Sequence, residues 1–142
     1  MSYSDILYSL SQTISSQSAD VDEKIARLKK AKKDLINEQH AVENEWGKIL
    51  DPDLGQSWTG NRADHFDKAR RGAKKEIEQT FHEEVEQYTN QIQQKINLLE
   101  MQREALRVAS YLSHEAGDLL HKGEEAYAAI EHKFTEIRKR LL

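Results

Sequence analysis

The sequence predicts an all-α protein, a long antiparallel helical hairpin of coiled-coil type followed by a C-terminal helical extension. The composition is 32% charged and 37% hydrophobic with 1 Pro and 6 Gly, which is typical of long helices with narrow apolar stripes. Apolar residues recur in steps of three and four along most of the chain. The proline lies in the one strong turn signal between two such stripes. We therefore expect one helical domain over residues 1–142.

The first helix is predicted over residues 3–50, with Ser4 and Asp5 as its N-terminal cap. The polar run 15–20 is its weak point, because Asp20 followed by Glu23 is able to cap a restarted helix and leave 3–19 frayed or separately packed. Ten of the thirteen stripe positions are apolar, which indicates a coiled-coil seam. The thirteen are Leu7, Leu10, Ile14, Ser18, Val21, Ile25, Leu28, Lys32, Leu35, Gln39, Val42, Trp46 and Ile49.

A turn is predicted over residues 51–60, a second helix over 61–115 and a C-terminal helical segment over 118–141. Gly117 and Asp118 either separate the last two segments or lie inside one helix that runs from 61 to 141. The stripe of the second helix supplies the candidate surface for a helical partner. Its members are Ile77, Phe81, Val85, Tyr88, Ile92, Ile96 and Leu99.

Blocks of charge give an expected register for the hairpin. A fold at about residue 55 places residue i opposite residue 111 minus i, so the basic stretch 24–33 faces the acidic stretch 78–87. The acids between 38 and 45 then face the bases between 62 and 75. Each exposed ion pair contributes little, about 0–1 kcal/mol, but a parallel pairing would bring like charges together. The blocks therefore favour an antiparallel hairpin.

Composition and motifs argue against several classes of function. The net charge of −4 disfavours a nucleic-acid binder, and no apolar run is long enough to insert in a membrane. No catalytic constellation or cofactor loop is present, and the histidines lack the spacing of a metal site, so we expect no enzyme, cofactor or metal. Residues 1–5 do not resemble the start of a cleavable signal peptide, so we expect a cytoplasmic protein or one exported without such a signal.

The predicted turn carries the most specific motif of the chain. Trp58, Gly60, Ala63 and Phe66 form a W-x-G-x-x-A-x-x-F pattern between the two long helices. It resembles the corner of the WXG (ESAT-like) superfamily, small helical hairpins that type VII secretion systems export, usually as dimers. The alternative for these residues is structural. Trp58 packs with Trp46 and Phe66 at the hairpin tip, and Gly60 allows either a close approach of another group or a positive φ.

The chain is longer than typical members of that superfamily. Its length, its charge-rich first helix and its C-terminal extension are more similar to the YwqH-like group. That resemblance implies a non-enzymatic partner that binds the helical N-terminal domain of an LXG-type toxin and presents it to the type VII secretion ATPase. It also allows a second small WXG-like protein, or a second copy in a homodimer, as a partner, and co-secretion of this chain with the toxin.

The superfamily's second motif is Y-x-x-x-D/E after the second helix, read with the corner as an export signal. Two sequence matches exist, Tyr111 with Glu115 and Tyr127 with Glu131, and five tyrosines among 25 acids would give about one by chance. The alternative for Tyr127 is a core position of the C-terminal stripe. The alternative for the whole protein is a homo-oligomeric coiled-coil scaffold without an export role, which self-associates through residues 118–142.

Overall fold

The computed structural model describes residues 2–46, 60–123 and 126–142, and these form three helices. They are α1 (Tyr3–Trp46), α2 (Asn61–Leu120) and α3 (Tyr127–Arg140), and no strand occurs within those ranges. Helices α1 and α2 pack against each other as an antiparallel hairpin, and α3 is the short C-terminal helix, which confirms the predicted fold class. The C-terminal end of the predicted first helix (47–50) and most of the predicted turn (51–59) lie outside the described residues.

Helix α1 begins at Tyr3, as predicted, but its capping residue lies two positions before the predicted one. The backbone N–H of Asp5 donates to the hydroxyl of Ser2 at 3.1 Å, so Ser2 is the capping residue and Ser4 lies inside the helix. The polar run 15–20 does not interrupt α1. Ile14 and Val21, which flank that run at a spacing of seven, are both buried, and this packing holds the run in the helix.

Helix α2 continues past the predicted boundary at 115 and includes Gly117 and Asp118. The chain turns only after Leu120, where Gly123 adopts φ +84°, a conformation suited to the residue that ends a helix. The C-terminal helix therefore begins at Tyr127 rather than at 118, and the segment folds back instead of continuing α2. Of the two alternatives left open for Gly117 and Asp118, the position inside a helix is the observed one: both lie in the last turn of α2, so the C-terminal helix starts later than the predicted 118.

Residues 1–28 and 94–142 form one compact unit, which we call unit 1. All three helices contribute to its main core, and the spacing of Ala109 and Ala116, both 0% exposed, places two small side chains on one face of α2. Small residues at these positions allow helices to approach closely. The core consists of Leu10, Ile14, Ala109, Ala116, Ala126, Ile130, Phe134 and Ile137.

A second cluster in unit 1 joins α1 and α2 through Val21, Ile25, Leu99 and Leu106. The chain end is tied to α1 by a pair of hydrogen bonds. The Gln17 amide donates to the Leu142 carbonyl at 3.2 Å and accepts from the Leu142 N–H at 2.8 Å. The C-terminal extension is thus part of the unit 1 core.

Residues 29–93 form the other compact unit, unit 2, in which α1 and α2 pack as a pair. Trp46 is buried and meets the ring of Phe81 edge-on, with centroids 5.3 Å apart. Val85 is buried in the same unit. Farther along the pair, the Lys32 ammonium donates to the side-chain carbonyl of Gln93 at 2.8 Å.

Contacts within each unit correct the predicted register. In unit 1 the hydroxyls of Ser11 and Ser113 are 2.7 Å apart. In unit 2, Lys32 pairs with Gln93, and Trp46 contacts Phe81. Residue i therefore lies opposite about 125 minus i instead of 111 minus i.

The corrected register does not bring the charge blocks together as predicted. The acidic stretch 78–87 lies opposite the end of α1, where Glu43 and Glu78 line one groove. The physical reason is the difference in energy between the two kinds of contact. Exposed ion pairs contribute about 0–1 kcal/mol each, whereas full burial of a large apolar side chain contributes about 1.5–3 kcal/mol. The apolar seam sets the register and the charges follow it.

Candidate functional site

The helix that follows the W-x-G corner begins at a glycine with a positive φ. Gly60 has φ +104°, and its carbonyl accepts the first helical hydrogen bond of α2, from the Asp64 N–H at 3.0 Å. A side chain at this position would be strained, so the glycine is needed for the backbone, as predicted. Ala63 is buried. Trp58 lies outside the described residues, so its predicted packing and signal role remain predictions.

Phe66, the last residue of the corner motif, is 52% exposed. The Arg70 guanidinium lies 5.8 Å from the centre of its ring, within the range of a cation–π contact. Asp67 accepts hydrogen bonds from Arg71 at 2.8 Å and from Arg70 at 3.2 Å. The bond from Arg71 is the main cause that lowers the pKa of the Asp67 carboxyl below its usual value of 3.8. This end of α2 presents an aromatic ring within a network of charges.

Tyr111 and Glu115 form the first of the two candidate export motifs, on the exposed side of α2. Tyr111 is 65% exposed, and its hydroxyl bonds to the Glu115 carboxylate. The same carboxylate pairs with the ammonium of Lys133 from α3. The hydrogen bond from Lys133 is the main cause that lowers the pKa of Glu115 below 4.5, so this carboxylate is held in its charged form.

Tyr127 and Glu131, the second candidate, are engaged by the N-terminus of α1. The rings of Tyr3 and Tyr127 meet edge-on with centroids 4.8 Å apart, and Tyr3 also contacts Phe134. The hydroxyl of Tyr3 donates to the Glu131 carboxylate, and this hydrogen bond is the main cause that raises the pKa of Tyr3 above 10.0. Tyr127 is 40% exposed. Both residues of the second match therefore take part in contacts within the chain.

The seven residues of the predicted partner surface on α2 differ in how deeply they are buried. Three of its members are buried inside the chain: Val85, Ile96 and Leu99. Phe81 and Ile92 are half-buried. Ile77 and Tyr88 are exposed. The seven residues were predicted from one stripe, but only the exposed ones are available to another protein without opening the hairpin.

A second apolar stripe on α2, in unit 1, was not recognised from the sequence. Leu98, Met101, Val108 and Tyr111 are all exposed, with Met101 70% exposed, and the half-buried Ala105 continues the spacing between them. Steps of three and four place these residues along one side of α2. The signal was present in the sequence, but it was masked by the neighbouring stripe that contains Leu99 and Leu106, which is the one buried against α1.

The contacts that fix the two tyrosine motifs were also missed, because they join residues far apart in the chain. Neither Tyr3 nor Lys133 was assigned a role from the sequence. Their partners become visible only once α3 is known to fold back on unit 1. The 3-4 spacing of the C-terminal stripe was the available signal, since a stripe of this kind must be buried against something.

Other kinds of site find no support among residues 2–46, 60–123 and 126–142. No group of three or more His, Asp or Glu side chains there is arranged to hold a metal ion. None of the helices in those ranges has an apolar stretch long enough to cross a bilayer. The features that stand out are apolar and aromatic side chains exposed along α2.

Comparisons with known proteins agree with the helical architecture. The sequence model of the YwqH-like family matches residues 7–116. Protein YwqH of Bacillus subtilis (strain 168) is 33% identical over 138 residues, covering 97% of this chain and 99% of that protein. No solved structure gives a significant match.

Proposed function

Because this chain belongs to the YwqH-like family, we propose that it is a non-enzymatic binding protein that engages the N-terminal helical domain of an LXG-type toxin and promotes its type VII secretion. The toxin and the secretion route come from the family resemblance of the W-x-G corner and the C-terminal extension. In this proposal the protein acts in the cytoplasm, where it presents the toxin to the secretion ATPase and is co-secreted with it or left behind.

The observation that carries the proposal is the exposed stripe of Leu98, Met101, Val108 and Tyr111, which we call the outer stripe. Helix α2 buries one apolar face against α1 and leaves this second one in water. An amphipathic helix of a partner fits such a face by packing its own residues at i, i+3, i+4 and i+7 into it. Covering the outer stripe turns the hairpin and α3 of unit 1 into a larger helical bundle.

The Tyr111–Glu115 pair lies at the C-terminal end of the outer stripe, and we propose it as the export element. It lies on the exposed side of unit 1, whereas Tyr127 and Glu131 are engaged by Tyr3. A toxin helix packed along the outer stripe would contact Tyr111, so a secretion factor would bind a surface made from both proteins. This supports one of the two sequence matches over the other.

The first test is whether the outer stripe binds a toxin. We expect tagged protein purified from its native host to retain a larger protein with a helical N-terminal region and a distinct C-terminal toxin domain. Met101→Asp places a charge in the centre of the contact and should weaken that binding at least about tenfold, measured by calorimetry with the purified toxin domain. His114→Asp changes an exposed residue elsewhere on α2 and serves as the matched control. Retention of no such protein, or equal affinities of both variants, would contradict the proposal.

The second readout is export. Tyr111→Phe keeps the aromatic ring of the outer stripe and removes only the hydroxyl beside Glu115. It should therefore leave toxin binding intact and reduce secretion of the toxin into the medium, while Tyr127→Phe should have the smaller effect on secretion once folding is matched by circular dichroism. Normal secretion with Tyr111→Phe would remove the export role of this pair without affecting the binding result.

The alternative of a homo-oligomeric scaffold built on residues 118–142 is not favoured by the packing. The apolar residues it requires, Ile130, Phe134 and Ile137, are almost fully buried in the core of unit 1. A scaffold would need to associate through another surface.

A further inference from the structure

In unit 2, α2 has a face on which the spacing of the residues is the same whether it is read from the N-terminus or from the C-terminus. Its seven positions are separated by steps of 4, 3, 4, 4, 3 and 4 residues. The spacing repeats every 11 residues and is symmetric about Ile77. At 100° per residue they lie within about 80° of each other around the helix. They are Phe66, Arg70, Ala73, Ile77, Phe81, Glu84 and Tyr88.

This face, which we call the symmetric face, is largely apolar. It is accessible except at Phe81, which is half-buried against Trp46, and at Arg70, whose side chain is 13% exposed beside Asp67. Ile77 is 47% exposed and Tyr88 is 59% exposed, and Phe66 is exposed to a similar degree. A shallow groove of about 510 Å³ lies at its centre, lined by Ile77, Phe81 and their neighbours Glu76, Thr80 and Glu84. Large apolar residues exposed along one line of a helix mark a surface suited to contact with another protein.

We propose that the symmetric face is the contact between two copies of this chain, arranged as an antiparallel pair of α2 helices about a two-fold axis at Ile77. In this arrangement residue i of one copy lies beside residue 154 minus i of the other. Phe66 then meets the partner's Tyr88, Ala73 meets the partner's Phe81, and Ile77 meets itself. A two-fold interface must be self-complementary, and this stripe satisfies that condition in a single register.

The charges on the face agree with the same register. Arg70 lies beside the partner's Glu84, and the two-fold axis repeats this pair. The flanking Lys74 already pairs with Glu78 of its own helix at 3.5 Å and does not add to the contact. Opposite charges in the same register as the apolar contacts select orientation and partner.

The wider charge distribution favours the antiparallel arrangement over the parallel one. Residues 62–75 contain six bases and two acids, and residues 76–88 contain five acids and no lysine or arginine. An antiparallel pair places the basic segment of each copy against the acidic segment of the other, whereas a parallel pair in register would place like charges together. A second copy of this chain supplies both the apolar and the charged complement, so no other partner is needed to account for the face.

The contact is tested by a single cysteine, because the chain contains none. Ile77→Cys places two thiols at the proposed axis, so mild oxidation of the purified protein should link most of it into dimers on a non-reducing gel. Gln79→Cys changes an exposed position two residues away that points to the other side of α2, and it should remain mostly unlinked. Equal cross-linking of the two variants, or none of either, would overturn the proposal.

Charge exchange tests the register independently of folding. Glu84→Lys and Arg70→Glu each place two like-charge pairs in the homodimer, so each variant should dimerise at least about tenfold more weakly in sedimentation. When the two variants are mixed, both pairs become attractive again, and heterodimers should form with nearly the native affinity. A defect in folding of either chain is not repaired by mixing. A native chain that is monomeric at 100 µM, or variants that do not associate when mixed, would refute the two-fold contact; the former would leave the face to a different protein.

The self-association is separate from the proposed toxin binding. It uses residues 66–88, whereas the toxin contact uses the outer stripe at 98–111. Ile77→Cys in reduced form should therefore retain the toxin domain, and Met101→Asp should still dimerise. Loss of one activity without the other identifies which proposal has failed.

Discussion

Glu115 is the residue whose ionisation is most directly connected to the fold, since it joins α2 to α3 through Lys133. Its pKa in the folded protein lies below the usual 4.5, chiefly because of the hydrogen bond from Lys133. The unfolded chain thus binds a proton more readily than the folded one. The stabilisation from this carboxylate is present above about pH 4.5 and is lost as the pH falls through the lowered value.

Glu115→Gln should therefore reduce the acid sensitivity of the protein. We expect the variant to be less stable than the native chain at pH 7 and to lose less of its stability between pH 6 and pH 3, as measured by urea unfolding at each pH. Glu104→Gln removes an exposed carboxylate that pairs with Arg107 on the same helix and is the control. The same acid profile for Glu115→Gln and the native chain would show that the pair with Lys133 does not contribute to stability.

The two tyrosine motifs show what could and could not be predicted for single residues from the sequence. The sequence identified both matches but had no means to rank them, because the difference lies in partners more than one hundred positions away for one of them. Tyr3 contacts Tyr127 and Glu131, and Tyr111 is left on the surface. A local spacing rule contains no information about such distant contacts.

At the scale of the helices, α2 ends near Gly123 and not at Gly117. Gly117 lies inside the helix, where an added Cβ would come no closer than 3.7 Å to Leu7, an ordinary contact distance. Gly123 lies after the helix with φ +84°. Both were visible in the sequence, and the first was the candidate break. Only the packing of α2 against α1 distinguishes a tolerated glycine from a terminating one.

The two glycines should therefore respond in opposite directions to the same substitution. Gly117→Ala removes the conformational freedom of a glycine in a helix interior and should stabilise the protein by about 0.5–1 kcal/mol. Gly123→Ala forces an alanine into a left-handed conformation and should destabilise it by about 1 kcal/mol. Thermal unfolding followed by circular dichroism measures both. A destabilised Gly117→Ala would mean that the contact with Leu7 leaves no room for the added methyl group.

The register of the hairpin was the element-scale feature that the sequence misplaced. The apolar stripes predicted the two long helices, and the charge blocks predicted their antiparallel orientation correctly, but stripes with a 3-4 repeat match each other in several registers. The charge blocks selected the wrong one. In the structure several of these charges pair along α2 itself, as Asp67 does with Arg70 and Arg71, and in the proposed dimer the blocks at 62–75 and 76–88 also face each other across the symmetric face. In this interpretation the charge blocks act between two copies of the chain and not between the two helices of one hairpin.

At the scale of the whole molecule, the buried core is distributed unevenly between the two compact units. Both core clusters belong to unit 1, where three helices pack together. In unit 2 the described residues form a two-helix pair, with Trp46, Ala63 and Val85 as its buried apolar residues. Two helices alone exclude little water, so the backbone of unit 2 should open more readily than that of unit 1.

Hydrogen exchange should detect this difference and its dependence on association. In dilute solution, amides of α2 between residues 96 and 116 should be protected more strongly than those between 66 and 88, by at least about tenfold. Raising the protein concentration should increase protection at 66–88 alone, because the symmetric face is covered by a second copy there. Adding the toxin domain should instead increase protection around 98–111. Uniform protection along α2 at every concentration would show that the hairpin opens as one unit, and that neither exposed face is stabilised by a partner.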